Sequence, residues 1–179
     1  GGASMIGARV FADREEAGRE LGDRLAHRGF DQPVVLALPR GGVPVAAEIA
    51  GALDAPLDLV LVRKIGVPFQ PELALAAVID GEHPEVVINE DVRRYARVSD
   101  AELERLKAAE IRELERRRDH YLRGRAPVPV AGRTVIVVDD GIATGATARA
   151  ALRGLRRGRP KCLVLAVPVA PPETVRALR

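Results

Sequence analysis

Short runs of mainly apolar residues recur along the chain, each bounded by glycine, proline or charged residues. These runs occupy residues 33–38, 57–62, 135–138 and 162–169, and only the second contains a charged residue, Asp58. Apolar runs of this length without polar alternation are typical of strands buried on both faces, as in a parallel sheet. Two more strands, at 73–80 and 85–89, are predicted around a turn that contains Gly81 and Pro84.

Between these runs, apolar side chains recur every three or four positions, which predicts helices. Two of them begin with a capping box at Asp13 and Ser99, each followed three residues later by glutamate. The predicted helices cover residues 13–28, 45–53, 99–122 and 146–157, and a last one begins at residue 171. The predicted buried stripe of the long helix consists of Leu103, Leu106, Leu114 and Tyr121. Alternating strands and helices indicate an α/β fold with a mainly parallel central sheet flanked by helices.

A chain of 179 residues suits one domain with a substantial core. We therefore predict a single domain over residues 9–179. Residues 1–8 are interpreted as an N-terminal tail, and the four residues before Met5, the only methionine, have the composition of a cloning scar. No leader and no apolar run as long as a membrane span is visible, so we expect a cytoplasmic protein and no membrane partner. The single cysteine, Cys162, is expected to be a core residue.

One stretch contains the clearest chemistry. The buried run 135–138 ends in Asp139, Asp140 and Gly141, and a loop of small residues and a predicted helix follow. A strand, a glycine loop and a helix in this order form an anion site, because loop N–H groups and the helix N-terminus point at the bound group. Two carboxylates beside a phosphate need another task, such as accepting hydrogen bonds from vicinal hydroxyls or helping to hold Mg²⁺. A ribose 5-phosphate would satisfy both halves of this site.

Two better-known phosphate loops do not fit this stretch. A Walker A loop requires a lysine that the residues from Gly141 to Thr147 lack, and the dinucleotide fingerprint requires a glycine spacing that is absent here. A plain turn closed by Asp-Gly with a threonine cap is the structural alternative.

A second strand, loop and helix occur earlier in the chain. The run 33–38 ends in Pro39, Arg40, Gly41 and Gly42, so this loop combines glycines with an arginine. The run 57–62 ends in Arg63 and Lys64, two neighbouring cations that favour an anion or are simply solvated.

The stretch from Val135 to Thr147 resembles the signature of the type I phosphoribosyltransferases, which bind phosphoribosyl diphosphate (PRPP). The resemblance implies that the loop binds the ribose 5-phosphate, through Asp139, Asp140, Gly141, Ile142, Ala143, Thr144, Gly145, Ala146 and Thr147. It implies that diphosphate is bound by Arg40, Gly41, Gly42, Arg63 and Lys64. The implied catalytic residues are Asp139, Asp140, Arg40 and Lys64, and the first two are also candidate Mg²⁺ ligands. A non-proline cis peptide near Arg40 and a flexible loop over residues 65–71 are implied as well.

Taken with Leu-Pro-Arg-Gly-Gly-Val-Pro and Val-Arg-Lys-Ile-Gly-Val-Pro, the signature is similar to the branch of this family whose acceptor is unassigned. Some relatives in that branch are fused to an α/β-hydrolase domain. The resemblance implies Mg²⁺-assisted transfer of a 5-phosphoribosyl group from PRPP to an unidentified nitrogen acceptor, such as a nucleobase, with release of diphosphate. The acceptor-binding hood segment at the C-terminus is expected to be absent from this chain. A PRPP-sensing module without turnover, and a domain that only dimerises a fused hydrolase, are the alternatives.

The charge pattern adds less than the motifs do. The net charge is +3, and only five aromatic residues occur, which argues against a nucleic-acid platform built from stacked rings. Basic residues cluster at 116–118, 123 and 125, and we interpret them as a solvated helix face. Phe69, Tyr95 and Tyr121 are the candidate stacking residues for an acceptor. A homodimer is compatible with the sequence.

Overall fold

A computed structural model describes residues 3–6, 14–141 and 146–168 of the chain. It divides into two compact units, one formed by Gly1–Val60 with Val128–Arg179 and the other by Leu61–Pro127. The single domain expected over residues 9–179 thus comprises two units. Within the described ranges, no helix is both long and apolar enough to cross a lipid bilayer.

The elements alternate along the chain much as the hydrophobic pattern predicts. In chain order they are β1 (Ala3–Ile6), α1 (Arg14–Ala26), β2 (Pro33–Ala37), α2 (Gly42–Leu53), β3 (Leu57–Leu59), β4 (Val62–Val67), β5 (Gln70–Ile79), β6 (Glu85–Ile88), α3 (Glu90–Ala96), α4 (Asp100–Leu122), β7 (Thr134–Val138), α5 (Ala146–Arg156) and β8 (Cys162–Ala166).

The first unit contains a five-stranded parallel sheet with strand order β1-β8-β7-β2-β3. Its three central strands pair in register, so that Ala37 lies beside Val138 and Val138 beside Ala166. All three residues are fully buried, as the unbroken apolar runs predict. The α/β fold with a parallel sheet flanked by helices is confirmed.

Helices α1 and α2 supply the apolar layer of the core in this unit. Leu21 and Leu25 of α1 and Val45 and Ile49 of α2 are completely buried and belong to one cluster with the sheet residues. Burying a side chain of this size stabilises the fold by about 1.5–3 kcal/mol relative to leaving it exposed. This packing holds the loops at the carboxyl ends of β2 and β7 on a rigid base.

Ala3 and Ser4 belong to the sheet, although the sequence analysis assigns them to a cloning scar. Strand β1 pairs with β8 in parallel, with Ala3 beside Leu163 and Ser4 beside Val164. Residues 3–6 of the predicted N-terminal tail thus pair with β8. The interpretation of the first four residues as a cloning scar stays a prediction.

The predicted strand over residues 57–62 is also wrong in its extent. Strand β3 ends at Leu59, and Val62 begins β4, which pairs antiparallel with β5 in the second unit. Val60 and Leu61, between the two strands, are both buried, so the apolar run continues across the break. Hydropathy alone therefore contains no signal for this boundary.

The second unit combines a three-stranded antiparallel sheet, in the order β4-β5-β6, with α3 and α4. Strands β5 and β6 and helix α4 lie close to their predicted positions. Ser99 caps α4 by accepting a hydrogen bond from the Glu102 backbone N–H, as the capping box predicts. Helix α3, capped by Asn89, is not predicted by the sequence analysis.

The buried stripe of the long helix α4 agrees only in part with the predicted one, because Leu103 and Leu114 are buried as predicted. Tyr121 is 46% exposed, whereas Arg118 and Leu122 are buried. Arg118 donates a 2.6 Å hydrogen bond to Asp80, which is also buried and accepts a second bond from the Leu61 backbone N–H at 2.7 Å. Arg118 is thus a partner in a buried ion pair, and its interpretation as part of a solvated face is wrong.

Candidate functional site

The two glycine-containing loops lie side by side at the carboxyl edge of the parallel sheet. They follow β2 and β7, which are neighbours in the sheet and end at paired residues, Ala37 and Val138. Immediately after β2, the Leu38 N–H donates to the carbonyl oxygen of Val138 at 2.9 Å. The sequence predicts both loops at this edge, and the structure brings them into direct contact.

The contact is made by the two glycines of the first loop. A methyl group built on Gly41 would overlap the carboxylate of Asp140, with even its more distant oxygen, Oδ1, only 2.8 Å away. A methyl group on Gly42 would overlap the carbonyl oxygen of Val138 and lie 3.2 Å from the Asp139 Cα. The absence of side chains at these two positions therefore allows the loops to approach each other.

The first loop is shorter than predicted, because α2 begins at Gly42 rather than at Val45. The Gly42 N–H donates to the Leu38 carbonyl at 3.0 Å, and the Val43 N–H donates to the Arg40 carbonyl at 3.2 Å. The peptide bond between Pro39 and Arg40 is cis, in agreement with the expectation from the family resemblance. The Arg40 residue is exposed at this edge.

The carboxylates of Asp139 and Asp140 interact at the end of β7. The Asp140 backbone N–H donates to Oδ1 of Asp139 at 2.7 Å, and the Asp139 N–H donates to the Ala166 carbonyl at 3.2 Å. Partial burial, together with the hydrogen bond and the negative charge of the Asp140 side chain, raises the pKa of Asp139 to about 7. A carboxyl group of this kind takes up a proton near neutral pH and then donates rather than only accepts hydrogen bonds.

This pKa gives a prediction for the pH dependence of stability in the ligand-free chain. Because the pKa of Asp139 is higher in the folded state than in the unfolded state, the folded state binds more protons between about pH 4 and pH 7. The contribution of Asp139 to the free energy of unfolding is therefore fully present below about pH 4 and is lost as the pH rises to about 7. We expect the urea midpoint of the parent, relative to that of Asp139→Asn, to fall across this window. A difference that stays constant with pH would contradict the raised pKa, and Asp31→Asn, at an exposed acid, serves as the control.

Arg63 and Lys64 are expected from the sequence to lie at the end of a strand in the parallel sheet. The structure places them elsewhere. They lie inside β4 of the second unit, where Arg63 forms a 2.8 Å ion pair with Glu110 of α4 and Lys64 is exposed. The segment 65–71, expected to be a flexible loop, completes β4 and forms a tight hairpin with β5. A role of Arg63 and Lys64 in diphosphate binding stays a prediction.

Part of the predicted 5-phosphate loop lies outside the described residues, namely Ile142, Ala143, Thr144 and Gly145. On either side of this gap, Gly141 has a φ of 140° and Ala146 begins α5, followed by half-buried Thr147. The strand and helix that flank the loop agree with the prediction.

Among the described residues, no three His, Cys, Asp or Glu side chains converge as a metal site. Asp139 and Asp140 supply two neighbouring carboxylates. Mg²⁺ is commonly bound by one or two carboxylates together with the phosphates of a substrate, so this pair fits a magnesium ion that is held mainly by its ligand. The chemistry of the donor set agrees with the expected ion, and both residues stay candidate ligands.

The fold and the described part of the site define an α/β protein with two adjacent loops and a carboxylate pair at the carboxyl edge of its sheet, where such sheets bind ligands. Residues 14–179 match the family model described as the phosphoribosyl transferase domain. Two proteins from Mycobacterium tuberculosis strains CDC 1551 and H37Rv, provisionally named phosphoribosyl transferases, are 48% identical over 167 residues. The match covers 93% of this chain and 37% of each relative, so the chain spans just over a third of their length.

Two solved structures show the same fold. The crystal structure of TT1426 from Thermus thermophilus is 47% identical, has a TM-score of 0.78 and is matched over 94% of this chain and 79% of that one. A purine phosphoribosyltransferase from Pyrococcus horikoshii has a TM-score of 0.51 at 16% identity, over 96% of this chain and 80% of that one. The chain belongs to the phosphoribosyl transferase domain family.

Proposed function

We propose that this chain transfers a 5-phosphoribosyl group from PRPP to a nitrogen acceptor, such as a nucleobase, and releases diphosphate. The observation that best supports this proposal is the contact between the two loops at Gly41 and Asp140. A sugar with phosphate at one end and diphosphate at the other requires two anion sites beside a pair of hydroxyl acceptors. Adjacent loops after β2 and β7 provide this arrangement within one unit.

In the proposed mechanism, Asp139 and Asp140 accept hydrogen bonds from the two ribose hydroxyls and face the ring as positive charge develops on it. Fixing the sugar in this way supplies orientation, and negative charge beside an oxocarbenium-like ring lowers the barrier electrostatically. The loop from Gly141 to Thr147 binds the 5-phosphate, with backbone N–H groups and threonine hydroxyls as donors. Arg40 and Gly42, just before and at the start of α2, bind the diphosphate.

Magnesium has one role in this proposal. When it is bound, Mg²⁺ neutralises charge on the departing diphosphate, with Asp139 and Asp140 as its candidate protein ligands. The high pKa of Asp139 suggests a link between ligand binding and its ionisation, because a nearby cation favours the charged carboxylate.

The direct test is diphosphate release from PRPP and Mg²⁺ with a panel of nucleobases and other nitrogen heterocycles, using the 179-residue chain. We expect release that requires PRPP, Mg²⁺ and one acceptor class together. Calorimetry with PRPP and Mg²⁺ in the absence of acceptor measures binding separately. Binding without release for every acceptor would favour a PRPP sensor, and no binding of PRPP would overturn the proposal.

A PRPP sensor that also binds nucleic acid would use the arginines of the basic cluster at residues 116–118, 123 and 125. Arg116 and Arg117 both donate to Glu113, at 2.7 Å and 2.9 Å, and their hydrogen bonds lower the pKa of this carboxyl group to about 2. Arg118 is buried against Asp80. Three of the five arginines are therefore engaged by carboxylates, which reduces the support for a nucleic-acid surface on α4.

A further inference from the structure

Gly41 occupies a position where the backbone conformation does not require glycine. It is the N-cap residue of α2, with φ −63° and ψ −30°, in the right-handed region that every L residue adopts. Serine, threonine, aspartate and asparagine are preferred at N-caps because their side chains accept a hydrogen bond from the first helical turn. Among the residues that the structure describes, no side chain provides this bond at the start of α2, and no acidic residue occurs in the first turn of the helix. The backbone conformation therefore does not explain why residue 41 is glycine, whereas its neighbouring atoms do.

The carboxyl group of Asp140 lies against Gly41. The three heavy atoms nearest to a Cβ atom built at this position, Cγ, Oδ1 and Oδ2, all belong to this carboxyl group. The carboxylate of the second loop thus fills the space that the side chain of residue 41 would take. Such a group is attached through rotatable bonds, so a new methyl group at residue 41 would displace it more readily than it would move the backbone.

Two other glycines of α2 show how specific this arrangement is. A methyl group on Gly42 would meet the backbone of β7, at Val138 and Asp139, which has no rotatable bond to relieve the overlap. A methyl group on Gly51 would meet nothing within 4 Å. Helix α2 and its N-cap therefore contain one glycine against a carboxylate, one against the backbone, and one with no described atom nearby.

We infer that Gly41 is a positioning residue for Asp140, leaving the space in which this carboxylate is held toward the ribose hydroxyls. The inference rests on the proposed function and adds to it a residue that acts through another. It differs from the expectation that Gly41 binds diphosphate directly. In that interpretation, glycine at residue 41 lets the diphosphate approach the backbone. A methyl group there would then weaken diphosphate binding equally with aspartate or alanine at residue 140.

A double-mutant cycle separates these interpretations. It compares the parent with Gly41→Ala, Asp140→Ala and the double variant, by calorimetry with PRPP and Mg²⁺ and with inorganic diphosphate and Mg²⁺. We expect Gly41→Ala to weaken PRPP binding about tenfold or more in the parent, and by less than about twofold in the Asp140→Ala background, because coupled residues are not additive. Diphosphate affinity should change less than about twofold. Gly51→Ala, the matched control on the same helix, should bind both ligands as the parent does.

Thermal unfolding of the same four proteins supplies a readout that requires no ligand. Gly41→Ala should lower the midpoint in the parent but not in the Asp140→Ala background, whereas Gly42→Ala should lower it in both. Equal loss of PRPP affinity in both backgrounds, or a parallel loss of diphosphate affinity, would overturn the inference while leaving the proposed function intact. If the parent binds no PRPP, the proposed function fails on that result alone. The thermal unfolding cycle then tests whether Gly41 positions Asp140. If Gly41→Ala lowers the unfolding midpoint equally in the parent and in the Asp140→Ala background, the inference is wrong.

Discussion

Replacing Asp139 and Asp140 together by asparagine is expected to lower the affinity for PRPP about a hundredfold or more while the chain stays folded. A hydrogen bond to a charged group contributes about 1.5–3 kcal/mol, so two of them contribute about 3–6 kcal/mol. Each 1.4 kcal/mol corresponds to about a factor of ten in the dissociation constant. Asparagine keeps the shape of aspartate and removes the repulsion within the pair, which is why we expect no loss of fold. Calorimetry with PRPP and Mg²⁺, together with circular dichroism, measures both effects.

The matched control for this experiment removes two negative charges from the same unit at the other edge of the sheet. Asp31 and Asp54 lie before β2 and β3 and are exposed, and Asn is tolerated at the left-handed position of Asp54. The variant Asp31→Asn with Asp54→Asn should bind PRPP as the parent does. If the Asp139 and Asp140 double variant binds PRPP as tightly as the parent, the assignment of the ribose hydroxyls to this pair is wrong.

The second large effect concerns stability rather than binding. Arg118→Ala is expected to lower the free energy of unfolding by about 3–5 kcal/mol, because it removes the guanidinium that contacts the buried carboxylate of Asp80. Each of the two residues is only 8% exposed, so solvent does little to replace the lost interaction. Urea denaturation followed by circular dichroism measures the change.

Two comparisons identify the cause of that loss. Arg116→Ala removes an arginine from the exposed face of the same helix, where its bond to Glu113 contributes little to stability because solvent screens it. Arg118→Met with Asp80→Asn removes both charges and should recover much of the stability lost in Arg118→Ala. A loss in Arg118→Ala no greater than in Arg116→Ala would show that the buried pair contributes little.

The parts of the fold that follow from local physics were predictable from the sequence. Strands β2, β7 and β8 follow from apolar runs, and α4 follows from its capping box and periodicity, each within a few residues of its observed bounds. The break between β3 and β4 was not predictable, because the apolar run continues through Val60 and Leu61. Arg118 was misassigned by its charge, although it lies four residues from both Leu114 and Leu122 and therefore on the buried stripe.

The candidate site was predictable as far as its motifs. The order of strand, loop and helix placed Arg40, Gly41 and Asp140 at one edge of the sheet. It did not show that Gly41 lies against the Asp140 carboxylate, because that contact depends on β2 and β7 being neighbours, and strand order is not written in either motif. Nor could the sequence show that Arg63 is paired with Glu110, a residue 47 positions away.

The Asp58 carboxylate connects the two points where the chain leaves and re-enters the first unit. Its two carboxylate oxygens accept hydrogen bonds from the Leu59 and Val128 backbone N–H groups, both at 2.8 Å. Asp58 therefore holds the two chain segments together close to residues 60 and 128, which bound the inserted stretch. The stretch from Leu61 to Pro127 is thus a cassette with adjoining ends. Exchanging it for a related cassette, or for a short peptide bridge, would leave the sheet and its two loops with the same chain path.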